Sequence, residues 1–316
     1  MSEVSTNTHT IPLLAIVGPT AVGKTALSLT LAQSLAGEIV SADSRQIYRG
    51  VDIGTAKPTL EERAMIPHHL IDFVDPDEEY SLALYKTQAS TAIEDIAKRG
   101  RLPLLVGGTG QYLAAVLQGW SIPSVPPQPA FRAQLEQEAD EQGAEALHTR
   151  LASIDPSAAA AIPVSNVRRV IRALEVYHVT GQPISAQQQK HPPPYQTRTI
   201  WLTLPAEPLY QRIDDRVDAM MAAGLLEEVQ GLLAHGYTWD LPAMSSLGYR
   251  EFQPYFAGTA TREEAVQRLK FNTHAFARRQ RSWFRRLPEV LQLPADAPDL
   301  LERALAWWDT SVSDKE

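Results

Sequence analysis

The chain has 316 residues, a net charge of -8, 44% hydrophobic and 21% charged residues, and no cysteine. These proportions exclude a disordered or fibrous chain, and the missing cysteines exclude disulfide frameworks, thiolate metal sites and a cysteine nucleophile. The length suits about two domains, or one large α/β domain with an insertion. The polar start MSEVSTNTHT lacks the basic and apolar regions of a secretory signal, and no apolar run approaches the roughly 18–20 residues of a membrane span. A cytoplasmic protein without a membrane partner is expected.

Residues 11–17 form a short apolar run that reads as a strand buried on both faces, followed by a glycine-bounded loop. From Thr25, Leu27, Leu31 and Leu35 recur at helical spacing up to Gly37, and Glu38 to Ser41 reads as a second strand. Further strands are expected at His69 to Val74 and Leu102 to Val106, with a helix over Leu82 to Lys98 between them. Such alternation predicts a mainly parallel sheet wrapped by helices. Pro123, Pro126, Pro127 and Pro129 break the pattern, and residues 130–181 read as several helices, the clearest from Asn166 to Thr180 with Ser165 as N-cap. A second break falls at His191-Pro192-Pro193-Pro194, after which Thr199 to Leu204 returns to the sheet. Residues 206–235 and 261–287 are long helical patterns, the second opened by Thr261 with Glu264 three residues on, a capping box. The expected fold is therefore α/β, a parallel sheet core flanked by helices with a helical insertion domain, and the GPTAVGKT loop at residues 18–25 makes that core P-loop NTPase-like. Residues 1–120 form the first part of the core, 121–197 the insertion, and 198–316 the second part with a basic C-terminal helix.

Gly18-Pro19-Thr20-Ala21-Val22-Gly23-Lys24-Thr25 matches the P-loop pattern and lies between a strand and a helix, where that pattern must lie. Its backbone N–H groups can surround a phosphate, Lys24 supplies a cation and Thr25 can ligate Mg2+. The motif specifies a phosphate ester or diphosphate without specifying a nucleotide. Most such loops hold ATP or GTP, but no guanine signature is present, and Leu70-Ile71-Asp72 is a doubtful Walker B segment. Asp43 follows the second strand, on the edge where open α/β sheets bind ligands, as a general base, a hydroxyl ligand or an Asx-turn former. Val106-Gly107-Gly108-Thr109-Gly110 repeats the strand-to-helix placement, with Thr109 as its polar group.

The overall charge is acidic, yet Arg278, Arg279, Arg281, Arg285 and Arg286 cluster in the last long helix. His274, Arg278, Arg281 and Arg285 share one face, either a solvated stripe or a phosphate-backbone contact. In the insertion, Arg168, Arg169 and Arg172 form a second group, which Glu175 can partly neutralise through an i, i+3 pair.

In order along the chain, the P-loop, Asp43-Ser44-Arg45-Gln46-Ile47-Tyr48, Gly54-Thr55-Ala56-Lys57-Pro58, His68-His69-Leu70, Val106-Gly107-Gly108-Thr109, Arg172-Ala173-Leu174-Glu175-Val176 and Gly248-Tyr249-Arg250-Glu251 resemble the tRNA dimethylallyltransferase family, also called tRNA isopentenyltransferases. Ala277-Arg278-Arg279-Gln280 and Trp283-Phe284-Arg285 add to the likeness. Gln111, Arg278 and Ser282 depart from the family's usual residues without removing a catalytic group. Without cysteines the zinc-finger extension of some eukaryotic members is missing, so the likeness is to the bacterial form.

The resemblance implies transfer of the dimethylallyl group of dimethylallyl diphosphate to N6 of the tRNA adenosine next to the anticodon, position 37. It implies that Gly18 to Thr25 hold the diphosphate with Mg2+ on Thr25, and that Lys24 and Arg216, preferred over Arg212, face the leaving group. Asp43 is then the general base and Thr109 aligns the reacting atoms. Asp43, Ser44, Arg45, Gln46 and Thr109 would meet the flipped adenine. Arg132, Arg168, Arg169, Val170, Ile171 and Arg172 of the insertion, with Arg278, Arg281 and Arg285, would hold the anticodon stem-loop for a monomeric enzyme. The competing readings are a P-loop kinase for a small acid or nucleoside, with Asp43 on the acceptor hydroxyl, and a P-loop switch or RNA-binding module without turnover.

Overall fold

A strand with no polar face must be covered on both sides, and Leu13 to Val17 are fully buried. In the computed structural model, which describes residues 10–313, this strand is β1 (Ile11–Val17). It is followed by α1 (Lys24–Ser34), β2 (Gly37–Ala42), α2 (Leu60–Met65), β3 (His68–His69), α3 (Leu82–Lys98), β4 (Leu102–Gly107) and α4 (Gly110–Leu117). Next come α5 (Pro129–Gln142), α6 (Ala144–Ile154), α7 (Pro156–Ala161), α8 (Val167–Thr180) and α9 (Ile184–Gln187). The chain continues through β5 (Tyr195–Thr203), α10 (Ala206–Ala222), α11 (Leu225–Ala234), α12 (Gln253–Phe256), α13 (Arg262–Phe284), β6 (Val290–Pro294) and α14 (Leu300–Ser313). Residues 1–9 of the polar leader lie outside the described residues.

Two compact units result, one of residues 1–117 with 194–316, the other of residues 118–193. The expected boundaries at 120 and 197 thus shift by a few residues towards the N-terminus. The first unit holds a six-stranded sheet in the order β3-β2-β4-β1-β5-β6, with every neighbouring pair parallel. Leu14, Ile16, Leu31, Leu104 and Leu202 belong to the core on one face, and Leu13, Ala15, Tyr85, Ile93, Leu105 and Phe284 to that on the other. A third cluster joins Ile47, Tyr48 and Val51 to Val229, Tyr249, Phe252 and Leu269. Because β2, β4 and β1 are adjacent and parallel, the loops at their C-terminal ends meet on one edge of the sheet.

Several elements differ from the sequence expectation. The strand expected over His69 to Val74 contracts to His68–His69, because Leu70 (φ 60°) and Asp72 (φ 59°) leave the extended region. Val74 keeps only a single bridge to Tyr48. Asp72 supplies no Walker B carboxylate at a strand end; it pairs with Lys57 at 2.8 Å and Arg63 at 3.1 Å. The helical pattern over 206–235 divides into α10 and α11 at Ala223-Gly224. β5 starts earlier than Thr199, at Tyr195, whereas β6 and α14 have no counterpart in the sequence reading. The capping box of α13 is formed: the Thr261 hydroxyl accepts from the Glu264 N–H, and the Glu264 carboxylate accepts from the Thr261 N–H.

In the second unit, helices surround Leu135, Leu147, Leu151, Val170, Ile171 and Leu174. Asn166, not Ser165, caps α8, its side chain accepting from the Arg169 N–H. Glu175 is fully buried and accepts from the Gln128 N–H, Arg132 and Arg172 at 2.5 to 2.9 Å. Burial works to raise its pKa, but these donors prevail and hold the carboxyl at about 2.

Candidate active site

The loop between β1 and α1 has the conformation of a phosphate cradle. Gly23 precedes the helix at φ 107°, a left-handed geometry that a side chain would resist, and Ala21 is also left-handed at φ 63°. The Lys24 ammonium turns back into the loop and donates to the carbonyls of Gly18 at 3.0 Å and Pro19 at 2.8 Å. Burial of that ammonium lowers its pKa to about 8, with Asp43 opposing the shift and Arg216 adding to it. Lys24, Asp43 and Arg216 therefore share one electrostatic environment. Among the described residues no three acidic, histidine or cysteine side chains converge as a metal cage. Thr25, in the first turn of α1, is the hydroxyl that would hold an Mg2+ ion beside the loop.

Asp43 and Thr109 emerge from neighbouring strands and are tied by backbone contacts. The Thr109 N–H donates to the Ala42 carbonyl at 3.1 Å, and the Thr109 hydroxyl accepts from the Ser44 N–H at 3.1 Å. Asp43 accepts from the Arg45 N–H at 2.9 Å, so the Asx-turn anticipated for this segment is present and fixes the carboxylate. The Arg45 guanidinium donates to the Pro242 carbonyl, and the Gln46 amide to the carbonyls of Thr55 and Ala56.

Arg216 is desolvated on α10, and burial lowers its pKa. It lines a cleft of about 420 Å³ with Asp52, Ile53, Ala56, Lys57, Arg63 and Met220. Arg212, one turn earlier, is exposed and places its guanidinium 3.4 Å from the Val22 carbonyl. Opposite Arg216, the 51–57 loop is held by Glu228, which accepts from three successive N–H groups, Asp52 (3.0 Å), Ile53 (2.8 Å) and Gly54 (3.2 Å), and from the Tyr249 hydroxyl (2.5 Å). The Gly54 and Gly248-Tyr249 motifs, remote in sequence, are thus two halves of one clamp. The sequence alone gives Glu228 no role, since Glu227 and Glu228 read as ordinary acidic residues in the first turn of a helix.

Gln280, quoted above only as part of a family-like segment, likewise receives no role from the sequence, although it is 6% exposed in the middle of the arginine-rich segment. Its position three residues after buried Ala277 and four before buried Phe284 is the signal that could have found it. The arginines around it divide. Arg278, Arg279, Arg285 and Arg286 are exposed, whereas Arg281 is half-buried. Arg278, Arg279 and Arg286 line a second cleft with Ser282 and Trp283, so the basic surface extends beyond the single stripe expected.

In the insertion, Arg168 and Arg169 are exposed. Val170 and Ile171, expected at the RNA, are 1% and 3% exposed and belong to the core of this unit, so their side chains offer nothing to a partner. Arg132 and Arg172 are committed to Glu175, and Arg172 also donates to the Val125 carbonyl at 3.0 Å.

A P-loop with its lysine turned inward, a second desolvated cation on α10, and a carboxylate and a hydroxyl at the ends of the next two strands define a P-loop protein of α/β fold. The chain belongs to the IPP transferase family, whose model matches residues 46–287, while the model described as Isopentenyl transferase matches residues 11–68. It is 71% identical over 296 residues to a protein named tRNA dimethylallyltransferase from Roseiflexus castenholzii, covering 94% of this chain and 97% of that protein. It is 58% identical to the protein of that name from Herpetosiphon aurantiacus, covering 92% of each. Among solved structures, the full-length tRNA isopentenylpyrophosphate transferase of Bacillus halodurans matches with a TM-score of 0.72 at 42% identity, covering 96% of this chain and 97% of that one. A eukaryotic dimethylallyltransferase described as acting on tRNA matches with a TM-score of 0.84 at 31% identity, covering 97% of this chain and 80% of that one.

Proposed function

We propose that this chain is a tRNA dimethylallyltransferase, which moves the dimethylallyl group of dimethylallyl diphosphate onto N6 of the adenosine at position 37, next to the anticodon, and releases diphosphate. The observation that carries the reading is the P-loop, with Lys24 turned into it, on the same sheet edge as Asp43 and Thr109: a cation for a leaving diphosphate beside a carboxylate for an acceptor proton. The P-loop N–H groups, Lys24 and Arg216 hold the diphosphate and stabilise the charge it gains as the carbon–oxygen bond breaks. N6 forms the new bond to carbon, and Asp43 accepts the proton that N6 sheds. Thr109, fixed against Ser44, aligns the acceptor beside Asp43. Thr25 would hold Mg2+, which would supply further neutralisation of the leaving group.

The adenine enters flipped from its stack, its edge meeting Ser44, Arg45 and Gln46. Arg278 and Arg285 with their half-buried neighbour Arg281, and Arg168 and Arg169 of the insertion, are the cations for the stem-loop phosphates. Arg132 and Arg172 support the helix that carries the last two. The enzyme works as a cytoplasmic monomer. No helix among the described residues is long and apolar enough to cross a membrane.

Purified protein incubated with unmodified tRNA and either dimethylallyl diphosphate or ATP tests the proposal. Diphosphate release and a tRNA heavier by one C5H8 unit are expected with the first donor alone. Consumption of ATP would instead favour a kinase, and consumption of neither a binding module.

A further inference from the structure

We propose that Gln280 is a positioning residue for the transfer, setting the separation between the loop that holds the donor and the loop that presents Thr109. Its amide is divided between the two. Oε1 accepts from the Thr20 N–H of the P-loop at 2.8 Å, and Nε2 donates to the Gly108 carbonyl at 2.9 Å. One partner can only donate and the other only accept, so the orientation of the amide is determined by the network.

The surroundings are fitted to this bridge. A Cβ on Gly108 would lie 2.4 Å from Nε2, so a side chain there would displace the amide from its bridge. One turn further on, a Cβ on Gly110 would lie 2.5 Å from the Trp283 ring, so α13 presses on the acceptor loop twice. The helix itself cannot yield easily. Ala277 and Phe284, a turn before and a turn after Gln280, are fully buried in the cores on opposite faces of the sheet.

The choice of side chain follows from the two partners. A hydrocarbon of similar length would fill the space but leave both the Thr20 N–H and the Gly108 carbonyl unpaired. A glutamate would serve Thr20 but turn an anionic oxygen towards the Gly108 carbonyl and stand beside a bound diphosphate. Only an amide supplies one acceptor and one donor at the right ends. Because the reacting carbon travels with the diphosphate and the acceptor nitrogen lies against Thr109, a change in loop separation changes the distance over which the bond must form. A misplacement of about 1 Å costs on the order of 10^2 in rate.

This inference rests on the dimethylallyl-transfer reading, and the experiment separates the two. Gln280→Met and Gln280→Glu are compared with the wild-type full chain in three measurements: single-turnover transfer from saturating dimethylallyl diphosphate to saturating tRNA, affinity for inorganic diphosphate, and affinity for tRNA. Gln280→Met is expected to slow the single turnover by about 10- to 100-fold and weaken diphosphate binding by a few-fold, with tRNA affinity within about twofold because the phosphate-contacting arginines are intact. Gln280→Glu is expected to weaken diphosphate binding further. Should either variant fold poorly, Gly108→Ala strains the same bridge from its other side and is expected to show the same split. Wild-type single-turnover rates per folded molecule in these variants, or a tRNA affinity that falls in step with the rate, would overturn the proposal. A wild type that binds diphosphate but transfers nothing would instead count against the reaction, and the diphosphate affinities would still decide Gln280.

Discussion

Lys24 and Arg216 at the centre of the candidate site and Arg278, Arg279 and Arg285 on the surface of α13 are cations suited to the same partner, a phosphate oxygen, yet they are built in opposite ways. The central pair is desolvated, with burial lowering both pKa values, while the helix arginines are exposed. Burying a cation is costly unless an anion arrives to meet it, so a site can hold few, and each must act where charge develops. Exposed cations cost little, are screened by salt and add up one phosphate at a time. Substitution at the centre should therefore change rates by orders of magnitude, and at the surface change affinities by small equal steps.

The largest effect is expected opposite the buried cations. Asp43→Asn keeps the Asx-turn to Arg45 and removes only basicity, so single-turnover transfer at saturating substrates should fall by about 10^2 to 10^4, the usual span of general-base help. Wild-type rates in that variant would reduce Asp43 to the turn-former that its contact with the Arg45 N–H makes it. Lys24→Met should slow turnover by about 10^2 to 10^3 through loss of charge at the leaving group. Its thermal midpoint should not fall, because the folded state no longer carries a buried ammonium.

The buried lysine also has a pH signature. With its folded pKa near 8, below the ordinary value of 10.5, the unfolded chain holds more of this proton between those limits. Its penalty on stability is fully present below pH 8 and is relieved as pH rises towards 10.5. Binding moves the other way. Affinity for dimethylallyl diphosphate should fall roughly tenfold between about pH 7.5 and 9 as the free ammonium loses its proton, while Lys24→Arg should flatten that profile. A flat profile in the wild type would mean that Lys24 stays charged throughout.

The centre is legible in the sequence because its signals are local. A strand without a polar face, eight residues of phosphate-loop pattern and a helix start within residues 11–35 leave little freedom, and the parallel sheet then places Asp43 and Thr109 on the same edge. The surface is less legible, because exposure is not a property of a residue's own segment. Arg168 and Arg172 sit one turn apart on α8, yet the first is exposed and the second is turned onto Glu175, which also takes Arg132 from α5. Val170 and Ile171 lie between arginines in sequence and inside a core in space. Gln280 and Glu228 are hidden for the related reason that their partners, Thr20 with Gly108 and the N–H groups of residues 52–54, are remote along the chain.

The smallest predicted effect separates the two kinds of arginine most directly. Every arginine that neutralises an RNA phosphate releases about one counterion, so the slope of log affinity against log salt should lessen by about 0.7 to 0.9 units for each such arginine that is replaced. Arg278→Ala and Arg285→Ala should each show that step, with tRNA affinity a few-fold weaker at moderate salt and thermal stability unchanged. Arg132→Ala and Arg172→Ala should do the reverse. They leave a fully buried carboxylate short of a donor, which costs about 1 to 3 kcal/mol, while the slope stays near its wild-type value. The loss should narrow in acid, because Glu175 is held at about 2 in the fold against an ordinary 4.5. Its contribution is present above pH 4.5 and disappears as pH falls through that interval, for the wild type as for the variants. Thermal midpoints of wild type, Arg132→Ala and Arg172→Ala at about pH 7 and about pH 3 test this. If Arg172→Ala lowers the salt slope by a full unit and leaves the midpoint at neutral pH unchanged, its guanidinium serves the RNA, and the contrast between inward and outward arginines fails at that residue.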